Sequence, residues 1–220
     1  MPRPPDPHLR DRLIDAATAE FAESGYAGAT LDGIAARAGV TKGGIYFHFT
    51  DKEELFFAVL DHWRERRRRL LQVPVPGPAG AASALRTFLA SYLAFHFREP
   101  AATHLLRVLA TELRGRFTAR LREDDRQEQR WLRASVRDLL VQGLRDGSLA
   151  VDDPALSAFV LTAAVTGALE QWHTAPGDVE AHCHEEELAR VLVARYATGS
   201  AGGAARDPTS EYDFRDRRDS

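Results

Sequence analysis

The sequence predicts an all-α protein, with an N-terminal three-helix head joined by a long fourth helix to a second, all-helical domain. Three observations predict it. Apolar residues recur at three- and four-residue intervals through most of the chain, as the buried stripe of a helix requires. Residues suited to capping or stopping helices punctuate those stripes, Thr30, Gly39, Thr41, Thr50, Gly147 and Asp153 among them. No segment alternates apolar and polar residues over the length of a strand.

From the N-terminus, Asp6 and Pro7 read as an N-cap followed by proline at the first helical position. Leu9, Leu13, Ile14, Ala17, Phe21 and Ala22 then mark a first helix from about Pro7 to Ser24. Gly25 and Gly28 break it. Thr30 caps a short second helix carrying Leu31, Ile34, Ala35 and Ala38, which Gly39 ends. Thr41 caps a third helix through Phe47. Thr50-Asp51-Lys52-Glu53 reads as a capping box for a fourth, with Leu55, Phe56, Val59, Leu60 and Trp63 on its inner face.

The run VPVPGPAG, residues 73–80, cannot continue a helix, because its prolines remove donors and fix the backbone angle; it is a linker. Helices follow at Ala81 to Arg98, from Pro100 to about Arg114, and from Phe117 to about Arg145, the last long and charged, with Gly147 as its stop. Asp153-Pro154 repeats the cap-then-proline device ahead of an apolar helix from Ala155 to Trp172, and Glu180 to Ala197 forms the last one. The expected domains are 7–72 and 81–197, with a disordered tail over 198–220, where periodicity is lost.

A chain of 220 residues with 44% hydrophobic content can fill a core. It has no apolar run near the roughly 20 residues that span a bilayer, and its start lacks the regions of a signal peptide, so no membrane contact and a cytoplasmic location are expected. Cys183 is the only cysteine, which excludes an intrachain disulfide and a thiolate cluster. A net charge of -3 does not mark a nucleic-acid binder. Any contact with a duplex must rest on a few placed cations, backbone donors and helix dipoles.

The segment LDGIAARAGVTKGGIYFH, residues 31–48 within a helix-turn-helix at 31–49, places two short helices around a turn. Ala35 sits where the helices cross and only a small side chain fits. Gly39 supplies the left-handed turn residue, and Ile34, Val40 and Ile45 anchor the unit. The helix from Lys42 to Phe47 then exposes Lys42, Gly43, Tyr46 and His48, a geometry suited to a major groove. The Tyr46 ring has a second reading, as core with its hydroxyl outward.

The run IAARAGVTKGGIYFHFTDKEEL closely resembles the DNA-binding domain of the tetracycline-repressor (TetR) family over roughly residues 8–68. The resemblance implies homodimers on near-palindromic operators in double-stranded DNA, with the second domain serving ligand binding and dimerisation. It implies Thr30 and Lys52 at phosphates, Tyr46 and His48 on backbone and base-proximal surface, and Thr41, Lys42 and Gly43 at the start of the recognition helix. A lysine in a first helical turn opposes the helix dipole, which a phosphate partner would explain. Gly44 departs from the family, where Thr, Ser or Ala is commoner. Two adjacent glycines weaken a helix, so packing and DNA must order it, with discrimination through DNA shape.

In the second domain, small residues at Ala163, Ala164, Gly167 and Ala168 suit close helix packing, so helices 155–172 and 180–197 are expected to build a homodimer interface; a buried core helix is the other reading. Trp63, Phe88, Tyr92, Phe95, His96, His104, Trp131, Phe159, Thr162 and Trp172 are the aromatic and polar residues expected around a cavity for a small-molecule effector of unknown identity. An inducer would swing the fourth helix and separate the heads; a constitutive regulator or activator without such a ligand is the alternative.

Other clusters read otherwise. His182, Cys183 and His184 are adjacent, whereas ligands on one helix need spacing of three or four, so neither a metal nor another cofactor is expected. Arg64 and Arg66 to Arg69 read as the solvated end of the fourth helix, complementing its dipole. Asp124, Asp125, Glu123 and Glu128 read as the charged face of a long helix, and with no nucleophile or phosphate-binding signature nearby an enzyme is not expected.

Overall fold

The computed structural model describes residues 8–109, 113–115, 117–174 and 184–198. Among them the head is built from α1 (Leu9–Gly28), α2 (Leu31–Ala38), α3 (Lys42–Tyr46) and α4 (Lys52–Leu70). The second half holds α5 (Gly80–Arg98), α6 (Pro100–Thr103), α7 (Thr118–Asp146), α8 (Pro154–Thr174) and α9 (Glu185–Ala194). Strand pairing among these residues is limited to one isolated antiparallel bridge, Leu149 to Ala197.

The expected helices form with local corrections. The cap at Asp6 lies outside the described residues, and α1 runs past its expected end because the break at Gly25 (φ 65°) is followed by one more turn that buries Tyr26. The capping box of α4 is shifted by one residue: Asp51 is the N-cap and accepts from Glu54 N (2.8 Å), while Glu54 accepts from Thr50 N and Oγ1 (2.7 Å each). Those donors hold the Glu54 carboxyl below the usual range. The helix expected from Pro100 to Arg114 is not continuous. Four α-helical residues pass into a π-helical turn at His104–Leu109, and a 3-10 turn covers Leu113–Gly115. Of the last helix expected over 180–197, residues 180–183 lie outside the described residues and the helix ends at Ala194; of the tail expected over 198–220, Thr198 N donates to Ser148 O (3.1 Å) and 199–220 lie outside the described residues.

Two cores hold the chain together. The first gathers Leu13, Phe21, Tyr26, Ile34, Ile45, Phe56 and Trp63 from the head, but it does not close at residue 72: Phe95, Ala102, Leu105 and Leu121 belong to it. The head is therefore seated on α6 and the π-turn, which both pack on α1. The second core joins α5, α7, α8 and α9 around Leu85, Phe88, Leu139, Leu140, Val165 and Val193. Its open end is stapled, since Asp146 Oδ2 accepts from Ala81 N (2.7 Å) and Ser148 Oγ from Ala82 N (3.1 Å), satisfying the first donors of α5.

The turn between α2 and α3 depends on Gly39, which takes φ 68° and ψ 35° and donates to the carbonyls of Ala35 and Ala36. A side chain there meets no neighbour, so its penalty is purely conformational. Gly39→Ala is expected to lower stability by about 1 kcal/mol in urea unfolding; an unchanged midpoint would mean the turn does not require the left-handed conformation.

Candidate DNA-reading face and effector cavity

The reading face is small and held from behind. Ile45 is fully buried against Ile34 and Phe49 in the head core, which fixes one side of α3 and leaves the other outside. Lys42, Gly43 and Tyr46 are exposed, Tyr46 by 51%, and His48 is half-buried between Phe47 and Phe49. Phe47 is 80% exposed at the end of this helix. A large apolar ring so open has no role in the head's own packing, and sequence reasoning, which used it only to bound the helix, gave it none. Thr41 stands at the N-cap without a side-chain cap bond. Added Cβ atoms at Gly43 and Gly44 would make only ordinary contacts, so those glycines answer no steric need inside the head.

The cations of this face already have partners. Acidic and basic residues balance over 8–72. Lys42 Nζ donates to Asp32 Oδ2 at 2.9 Å, and this bond raises the lysine's pKa. Arg37 bonds to Glu20 (2.9 Å) and to Glu23. Thr30 caps α2, its hydroxyl accepting from Gly33 N at 3.0 Å, and is exposed.

Lys52, expected at a phosphate, has partners inside the fold. Its ammonium donates to Tyr26 O (2.8 Å), Ala29 O (2.8 Å) and Ala27 O (3.5 Å), and lies 4.7 Å from the centre of the Tyr26 ring. The lysine in the first turn of α4 thus donates to carbonyls at the C-terminal end of α1, where the helix offers no further donors. Its cost against the helix dipole is met inside the fold.

The second candidate site is a cavity of about 410 Å³ where α4, α5, the π-turn, α7 and α8 meet. Tyr92 and His96 are the two of the ten expected residues that line it. Trp63 lies in the head core, its Nε1 donating to Thr18 Oγ1 (2.9 Å), with Phe95 edge-on to it. Phe88 and Trp131 meet in the second core at 6.0 Å. Thr162 returns its proton to its own helix at Ala158 O (2.8 Å). Trp172 packs on Phe97 (4.8 Å), and His104 Nδ1 faces His173 Nε2 at 3.4 Å. Phe159 is 51% exposed on the outer side of α8 beside Leu156 and Val160, away from the cavity.

The cavity is lined instead by residues that had been read as surface. Arg64 and Arg67 are buried, not solvated, and Arg67 is only 3% exposed. Arg64 Nη1 bonds to Asp124 Oδ2 at 2.8 Å, and Arg67 Nη2 lies 2.6 Å from Glu128 Oε1, so two rungs tie α4 to α7. Arg67 Nη1 also faces His96 Nε2 at 3.3 Å. A guanidinium can only donate, so Nε2 accepts, and Nδ1 carries the proton toward Thr103 Oγ1 at 3.0 Å. The signal was legible: Leu60, Arg64, Arg67 and Leu71 continue the inner stripe of α4 at helical spacing. His184 is exposed at the N-cap of α9, whereas His182 and Cys183 lie outside the described residues.

The model of the bacterial regulatory proteins, tetR family, matches residues 13–59. A helix-turn-helix transcriptional repressor of Streptomyces coelicolor is 31% identical over 144 residues, covering 64% of this chain and 70% of the relative. The transcriptional regulator AcrR of Shigella flexneri is 27% identical over 196 residues, 85% of this chain and 88% of AcrR. A TetR transcriptional regulator from Chloroflexus aurantiacus has the same fold at a TM-score of 0.70 and 25% identity, covering 87% of this chain and 98% of that one. SmeT, the repressor of a multidrug efflux pump of Stenotrophomonas maltophilia, does so at 0.68 and 22%, covering 90% and 95%.

The bonding of Lys52 makes a prediction that a phosphate contact alone would not. Lys52→Met is expected to cost about 1.5–3 kcal/mol of folding stability, the range for hydrogen bonds to a charged group. A urea midpoint equal to the parent protein's would return Lys52 to a purely external role.

Proposed function

Because the chain belongs to the tetR family of bacterial regulatory proteins, which are DNA-binding transcriptional regulators and not enzymes, we propose that it is a homodimeric repressor released from a near-palindromic operator by a small molecule. The observation that carries this reading is the exposed ridge of α3, with Tyr46 and Phe47 standing clear of a core that grips only Ile45. Thr30, Thr41, Lys42, Gly43, Tyr46 and His48 meet the duplex, Phe47 joins them on backbone sugar or a thymine methyl, and Lys52 holds the α1–α2 turn beneath them. The protein works where its operator is, in the cytoplasm. A constitutive regulator or activator is the second reading, favoured by ion pairs that already occupy part of the cavity wall.

Dimerisation rests on α8. Leu156, Phe159 and Val160 are large apolar side chains left exposed on one helix, with Ala163 and Ala164 beside them, and a second copy would cover them about a two-fold axis. Helix α9 lies against α5 and leaves Val191 exposed. Two heads then reach successive major grooves about 34–36 Å apart.

Selection of bound duplexes from a random pool is the direct test and is expected to return a near-palindrome; recovery of no enriched sequence at low salt would end the repressor reading. On the selected operator, Asp32→Asn is expected to tighten binding several-fold and to steepen its salt dependence, because Lys42 no longer exchanges a carboxylate for a phosphate. Phe159→Asp is expected to shift the protein from dimer to monomer in sedimentation velocity while leaving its helical content intact. A dimer that survives this change would move the interface off α8.

A further inference from the structure

Resting on the effector reading above, we infer that the ligand is an amphipathic monocarboxylate whose acid group is read by the Nε and Nη2 edge of Arg67, and that it acts by displacing Glu128 and cutting the tie between α4 and α7. The edge of a guanidinium formed by Nε and Nη2 matches the two oxygens of a carboxylate. In Arg67 that edge is half used. Nη2 lies 2.6 Å from Glu128 Oε1, but the contact lacks hydrogen-bond geometry, and Arg67 Nε and both Glu128 oxygens are buried without a hydrogen-bond partner. A buried charge pair held this way keeps most of its desolvation penalty, so the pair is easily exchanged for a better one.

The two partners are unequal in what they can do once separated. Glu128 has Arg68 Nη2 at 3.6 Å and so turns to a second cation on the outer side of α4. Arg67 has no second carboxylate at ion-pair distance among the described residues; its other contacts are His96 and the rings of Tyr92 and Phe95 (5.6 and 6.0 Å). A ligand acid is therefore the group that completes Arg67 without stranding Glu128.

The remaining walls set the rest of the ligand. Tyr92 and Leu106 offer apolar surface beside Arg67. Asp125 and Glu170 stand on the more exposed α7 and α8 side, so among the described residues the Arg67 edge is the one place in the lining that offers a buried, unpartnered donor to an acid group. The consequence reaches the head because Arg67 belongs to the same helix as Leu55 and Phe56, which lie in the head core.

Three probes differing only in their polar end test this: 3-phenylpropionate, 3-phenylpropanamide and 3-phenylpropylamine, in the millimolar range, added to the full-length protein on its selected operator. The acid is expected to raise the Tm and to release the operator, with an affinity about tenfold above the amide or the amine. Glu128→Gln is expected to bind the acid several-fold more tightly, and Arg67→Gln combined with Glu128→Gln, which leaves no stranded charge, to lose the preference for it. An amine that binds more tightly than the acid, an acid preference unchanged in the double variant, or an acid that does not bind overturns the inference. Operator release by the amide or amine would leave the repressor reading standing while this one falls; absence of operator binding by the untreated protein would remove the reading on which it rests.

Discussion

Burial of the Arg67 guanidinium between α4, α5 and α7 is the constraint on which the relation between the two halves depends. A charge in that position is tolerated only while it is answered, and the groups that answer it, Glu128, His96 and the ring of Tyr92, come from two helices of the second half. Arg64 repeats the arrangement one turn earlier through Asp124. Apolar packing sets the N-terminal part of α4 in the head, and charge pairing sets its C-terminal part. Apolar contact is tolerant of small sliding, whereas a buried ion pair has discrete partners, so the C-terminal part of α4 is held by fewer and more specific contacts.

The head is joined to the rest by more than its connecting helix. Its core includes Phe95, Ala102, Leu105 and Leu121, all beyond the proline-rich linker. The turn after α6 is π-helical where it meets α1 and α4, and π-helical turns are uncommon enough in helical proteins to mark a place where the chain accepts a less regular path. A displacement of α5 or α7 therefore has two routes to α3, through the arginine rungs and through this seat.

The exposed face around α3 carries little unpaired charge. Lys42, Arg37 and Lys52 are bonded to Asp32, to Glu20 and Glu23, and to main-chain carbonyls, respectively. Under the proposed function, binding of a polyanion exchanges some of these contacts, which lowers the electrostatic gain and gives shape and the exposed rings of Tyr46 and Phe47 a larger share. The neutral balance over residues 8–72 is thus consistent with a duplex partner, because the relevant quantity is which cations are exchangeable.

Helix positions outside the segment after Pro100, the turn at Gly39, the cap at Thr30 and the exposed side of α3 were legible in the sequence, because each depends on residues within a few positions of one another and on the 3.6-residue period. Placement of the aromatic residues was not. Phe88 and Phe159 carry the same ring and the same local helical context, yet one is in a core and the other on an outer face, and only the crossing of α5, α7 and α8 separates them. The pairing of Arg64 and Arg67 with carboxylates 60 and 61 residues away likewise belongs to the tertiary structure. A run of arginines looks solvated by composition; helical spacing marks Arg64 and Arg67 as its inward members, but the carboxylates that answer their charge are brought to them only by the fold. Local chemistry determined the elements; long-range packing decided which of their charges and rings face water, because burial is a property of neighbours that are distant in the chain.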